Sequence, residues 1–98
     1  MTINKTKEDN KLIVAVGGRL DTTTAPTLEA ELKNDMDDVK ELVFDISELE
    51  YISSAGLRVL LTAQKVMNKQ GKMTVKGANE AVMEIFEVTG FVDILDIE

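Results

Sequence analysis

The spacing of apolar residues changes period several times along the chain, and each change marks an element. Leu12-Ile13-Val14-Ala15-Val16 is an unbroken run rich in β-branched residues, which suits a strand. Thr2 to Lys7 before it is a weaker strand, polar enough to lie at a sheet edge. Glu8-Asp9-Asn10-Lys11 between them reads as a turn, because Asp and Asn side chains bond the local backbone. Together these segments predict a hairpin that Gly17-Gly18 ends.

The period then becomes helical. Leu28, Leu32 and Met36 recur every fourth residue, with Ala25 three before them, so one stripe of a helix is apolar. The polar segment Arg19-Leu20-Asp21-Thr22-Thr23-Thr24 precedes this helix as a loop. One of its threonines is expected to cap the helix, with Pro26 in the first turn. Asp37-Asp38 closes this helix or starts the loop after it. Leu42 to Ile46 is apolar on both faces apart from Asp45, the pattern of a central strand covered by helices. It should be the most buried element. Ser47-Glu48-Leu49-Glu50 reads as a loop.

A second amphipathic helix begins near Ala55, with Leu57, Leu60, Leu61, Ala63, Val66 and Met67 expected inward. Arg58, Thr62, Lys65 and Lys69 form a polar, largely basic stripe opposite, which is either a solvated face or part of a docking surface. Gly71 fits a helix C-cap, Lys72 to Lys76 alternates as a strand with one wet face, and Gly77 ends it. Asn79 caps a short helix carrying Val82, Ile85 and Phe86 inward, which Gly90 stops; Val92 to Ile97 completes the chain as a strand. The predicted order is β-β-α-β-α-β-α-β. This is an α/β class fold: one domain over residues 1–98, a mixed sheet packed with three helices.

Chemistry concentrates at Tyr51-Ile52-Ser53-Ser54-Ala55-Gly56-Leu57, where a strand hands over to a helix N-terminus. The first backbone N–H groups of a helix lack internal partners and carry partial positive charge. Ser53 or Ser54 can cap them, and an anion such as a phosphate can be held by them. Gly56, lacking a side chain, is read as a point where a second molecule approaches the backbone.

Composition narrows the function. The chain has no histidine and no cysteine, which removes Ser-His-Asp and Cys-His catalysis and every thiolate or imidazole metal site. No EF-hand spacing occurs, so no metal or cofactor is expected. The net charge of −7 argues against nucleic acid and anionic membranes as partners. No run of about 18 apolar residues suggests a membrane span, and Met1-Thr2-Ile3-Asn4-Lys5 lacks the apolar core of a signal peptide, so a cytoplasmic location is expected. A protein-binding module fits better than an enzyme.

Gly18-Arg19-Leu20-Asp21 after the second strand and Ile52-Ser53-Ser54-Ala55-Gly56-Leu57 after the third, in this order of elements, resemble the STAS domain, and within it the bacterial anti-sigma-factor antagonists. The resemblance covers essentially the whole chain. It implies a non-enzymatic phosphoprotein switched at the serine two residues before the glycine, which matches Ser54. It implies two partners. One is an anti-sigma factor that is also a serine kinase of the histidine-kinase-like ATPase superfamily; the other is a PP2C-type phosphatase. The unphosphorylated antagonist would bind the anti-sigma factor and free the sigma factor, regulating transcription by partner switching. Ser53 stands where many members have aspartate, and Glu98 follows the last expected strand without the further helix that members often carry. Some STAS modules serve other partner-switching or transporter-associated pathways, which is the alternative reading. A response-regulator-like phosphoacceptor at Asp45 is a weaker one, because Gly17-Gly18 and Gly77-Ala78 occupy the loops where a receiver needs its acidic pair and lysine.

The loop after the second strand and the start of the second helix should share one end of the sheet. That places Asp21, Thr22, Thr23, Ser53, Ser54, Gly56 and Arg58 on one expected partner-binding surface. On this reading Asp21→Lys weakens partner binding and leaves the melting temperature nearly unchanged.

Overall fold

The computed structural model describes residues 1–98. The opening hairpin pairs β1 (Thr2–Glu8) with β2 (Lys11–Leu20) antiparallel, Thr2 opposite Gly17 and Glu8 opposite Lys11. β3 (Glu41–Asp45) then lies parallel to β2, and β5 (Lys72–Lys76) parallel to β3, giving the order β1-β2-β3-β5. Helices α1 (Ala25–Asp35), α2 (Ser54–Gln70) and α3 (Glu80–Thr89) connect or follow these strands. The mixed sheet and three helices are as the sequence pattern implies.

Burial follows the pleat. On β2, Leu12, Val14, Val16 and Leu20 are at most 2% exposed and join Leu42 and Phe44 of β3, Met73 and Val75 of β5 and the helices' apolar stripes in one core of 23 residues. Val43 is buried but stands outside that core, on the other face of the sheet. There Lys11, Ile13, Glu41, Lys72 and Thr74 surround it, and no helix residue does. The helices thus cover one face. With Leu42 and Phe44 fully buried, β3 lies between β2 and β5 as expected, but helices cover only one of its two faces.

Three features depart from the sequence reading. β2 does not stop at Gly17-Gly18; Gly18 takes φ +83°, the register shifts by a bulge between Gly18 and Arg19, and the strand runs on to Leu20. Its extension pairs with an unforeseen strand, β4 (Leu49–Ile52), which takes in the second half of the Ser47–Glu50 segment read as a loop. The final strand, Val92 to Ile97, shrinks to a 3-10 turn at Phe91–Asp93 and one parallel bridge between Ile97 and Val75. Local bonds win there: the Asp93 and Ile94 N–H groups donate to the carbonyls of Gly90 (3.1 Å) and Phe91 (3.0 Å). The order of elements is therefore β-β-α-β-β-α-β-α. In α2, Val66 points to solvent, Leu61 is half-buried, and Val59 and Gln64 take inward places.

Candidate functional site

The β2 extension is what assembles the site. Arg19 lies opposite Tyr51 and Leu20 opposite Ile52, so the two strands end side by side. The Ser53 N–H donates to the Leu20 carbonyl at 2.9 Å, fastening the start of α2 to the end of β2. Asp21 directly follows the end of β2, and Ser53 then Ser54 follow the end of β4.

The two serines have different environments. Ser53 is the N-cap, in extended backbone, and its hydroxyl oxygen accepts the Gly56 N–H at 3.3 Å. Ser54 is the first helical residue; it is exposed, and its hydroxyl takes no part in the cap. No acidic side chain occupies the first turn of α2, so the partial positive charge of the helix start is unopposed there. Gly56 faces inward rather than outward: a Cβ on it would stand 2.7 Å from Leu20 Cγ and 2.8 Å from Ile52 Cγ1. Its missing side chain lets α2 seat against the β2–β4 pair, and it is not an opening for a second molecule.

Asp21 closes the turn into α1. Its carboxylate accepts the N–H groups of Thr23 (3.0 Å) and Thr24 (3.2 Å), and its own N–H donates to Thr24 Oγ1 (2.9 Å). Thr24 occupies the N-cap position of α1 but makes no side-chain bond to a helical N–H, so the expected threonine cap is replaced by this reciprocal pair. The Thr24 N–H, more than any other group, holds the Asp21 carboxyl below the ordinary aspartate value of 3.8, with Thr23 and the Arg19 guanidinium adding to it. A depressed folded-state value means that the ionised form stabilises the fold. That contribution is present above the unfolded value and is lost as pH falls through the folded one. Asp21→Lys therefore lowers the melting temperature at neutral pH, contrary to the expectation above. For Asp21→Ala the deficit relative to wild type narrows as pH falls below 3.8, which melts at several pH values will read; a deficit independent of pH would exclude the carboxylate as its source.

Thr22 and Thr23 are exposed beside Asp21, and Arg58, one turn after Ser54, is exposed on α2. Two further residues join them that sequence reasoning missed. The Arg19 guanidinium stacks on the Tyr51 ring at 4.4 Å and lies 3.7 Å from the Asp21 carboxylate. Their pairing is set across strands, and no local pattern carries it. Asp45 belongs elsewhere. Its carboxylate is lowered mainly by the Ser47 hydroxyl and accepts the Ser47 N–H at 3.1 Å, shaping the turn between β3 and β4.

The STAS domain family model matches residues 2–98. The chain belongs to the STAS domain family. Within it, the chain is similar to proteins named as anti-sigma factor antagonists. It is 37% identical to BtrV of Bordetella bronchiseptica over 99% of this chain and 85% of that protein. The crystal structure of an anti-sigma factor antagonist from Mycobacterium paratuberculosis superposes with a TM-score of 0.88 at 27% identity, over 98% of this chain and 83% of that one. The phosphorylated form of the Bacillus cell fate determinant SpoIIAA shares the fold, with a TM-score of 0.77 at 12% identity over 99% of this chain and 91% of that one. By family it stands among the anti-sigma factor antagonists, a class of regulatory binding proteins. No helix in it is long and apolar enough to cross a membrane.

Proposed function

We propose that this domain is a phosphorylation-controlled partner switch in which Ser54 is the acceptor. Unmodified, it binds an anti-sigma factor that is also a serine kinase of the histidine-kinase-like ATPase superfamily; phosphorylated, it is released until a PP2C-type phosphatase resets it. The observation that carries this reading is the division of labour between the serines. Ser53 is engaged in capping and fastened to β2, whereas the Ser54 hydroxyl is exposed at the first turn of a 17-residue helix.

The switch works through charge. A phosphoryl group adds about −1.5 to −2 charges at neutral pH and meets a favourable dipole at a helix start, so the domain stays folded when modified. A partner seated on Asp21, Thr22, Thr23, Ser54 and Arg58 instead meets a new dianion. A net penalty of about 1–3 kcal/mol lowers affinity by about five- to 150-fold. Incubation with the kinase and ATP followed by mass spectrometry is expected to find phosphate on Ser54. Ser54→Ala should bind the kinase without being labelled, and Ser54→Asp should bind poorly. Undiminished labelling of Ser54→Ala, or kinase affinity unchanged by stoichiometric phosphate on Ser54, overturns the reading.

A further inference from the structure

The basic stripe of α2 is not explained by the switch residue alone. α2 contains three cations, Arg58, Lys65 and Lys69, and no acid, in a chain whose net charge is −7. None of the three is in an ion pair; Lys5, Arg19 and Lys33 make those that the chain has. The stripe flanks a groove between α1 and α2, formed by two hollows of about 370 and 270 Å³ that meet at Glu29, Lys33 and Val59. Its apolar lining includes Ala30 of α1, Met36 at the end of that helix, and Ala55, Val59, Ala63 and Val66 of α2, with polar and charged side chains between them. Val66 is 38% exposed there, although the helical period assigns it to the core. From Ala55 to Val66 the groove follows about three helical turns, about 16 Å.

We infer that this groove receives an acidic amphipathic helix of the partner protein. A groove between two helices with apolar side chains along it takes the apolar stripe of a third. The charges decide its flank. The α1 side carries Glu29, paired with Lys33 at 3.8 Å, and Asp37 just beyond the helix, while Arg58 is the one charged α2 residue in the lining, with Lys65 and Lys69 farther along an acid-free helix. An acidic flank therefore turns towards α2, where opposite charge also speeds encounter and fixes register.

The groove starts at Ala55, the neighbour of the proposed phosphoacceptor, and this second step rests on that reading. Arg58 lies four residues after Ser54, the spacing at which side chains meet on one helix face. A phosphoryl group on Ser54 draws Arg58 to itself and leaves negative charge at the groove mouth. The acidic helix then loses an attraction and gains a repulsion.

The test uses the intact domain with two fluorescent amphipathic helical peptides as probes, one of Leu and Glu and one of Leu and Lys. Net charge alone favours the basic probe. The groove predicts the reverse: the acidic probe binds at least about tenfold more tightly, and its affinity falls as salt rises. Amide shifts should cluster at Ala30, Val59 and Val66. Lys65→Glu with Lys69→Glu should lower the affinity about tenfold. Ala30→Phe should lower it by filling the channel without a change of charge. Preference for the basic probe, shifts elsewhere, or indifference to these variants overturns the inference. So does self-association of the domain abolished by the same variants, which would assign the groove to a second copy. If kinase still labels Ser54 while Ser54→Asp leaves the acidic probe's affinity unchanged, the phosphoswitch stands and its coupling to the groove is refuted.

Discussion

Gly71→Ala is expected to destabilise the domain by about 3 kcal/mol or more and to lower its melting temperature by about 12 °C or more. Gly71 ends α2, and its N–H donates to the Met67 carbonyl at 2.7 Å. Its φ of 178° is extended backbone that any residue adopts, so the cause is space rather than dihedral strain. A Cβ there would overlap the Lys40 carbonyl oxygen, with the carbonyl carbon at 2.6 Å and Cα at 2.8 Å. These are backbone atoms and cannot swing aside. Lys40 is also tied on both sides, its N–H to the Asn10 carbonyl at 2.7 Å and its carbonyl to the Lys72 N–H at 2.9 Å. Moving it disturbs the start of the β2–β3–β5 register, where Lys11, Glu41 and Lys72 align. Against a total stability of about 5–15 kcal/mol, that is a large fraction. Gly90→Ala is the control: it has φ +80° and nothing within 4 Å, so it should cost only the left-handed penalty of about 1–2 kcal/mol. Thermal melts showing Gly71→Ala no worse than Gly90→Ala would refute the steric account.

Gly56→Val is expected to cost about 2–3 kcal/mol and, beyond that, to displace Ser54, the proposed phosphoacceptor. The valine Cβ meets Leu20 Cγ, Ile52 Cγ1 and, at 3.0 Å, the Leu20 carbonyl oxygen. Leu20 and Ile52 are 1% and 2% exposed and have no room to rotate away. The strain is relieved by lifting the first turn of α2, which lengthens the Ser53 N–H bond to Leu20. Ser54 moves with that turn. Gly56→Ala is milder, because replacing glycine within a helix returns up to about 1 kcal/mol. Urea unfolding should rank wild type above Gly56→Ala above Gly56→Val. Phosphorylation at a temperature where all three are folded should be slowest for valine. Full-rate labelling of a destabilised Gly56→Val would separate the fold contact from the positioning of Ser54.

Elements with a local cause were legible in the amino-acid order. The β-branched run Leu12 to Val16, the stripe Ala25, Leu28, Leu32 and Met36, and the caps at Asn79 and Gly90 all appear where their patterns put them, because each depends on residues within a turn or two. Ser53 and Ser54 were legible as a pair at a helix start, but not which of them caps. That depended on the Ser53 N–H reaching Leu20, a contact between distant segments. The same extension of β2 through a glycine bulge brought β4 into existence and set Arg19 on Tyr51, though a double glycine and a four-residue segment carrying Glu50 look locally like loop. It was tertiary packing too that turned Gly56 inward against Leu20, made Asp21 the lock of the α1 turn, and left Val66 facing a groove. Local period and capping chemistry therefore determined which elements form. The juxtaposition of strand ends determined what each hydroxyl and carboxylate is free to do, because hydrogen-bond partners and free space are properties of the assembled chain.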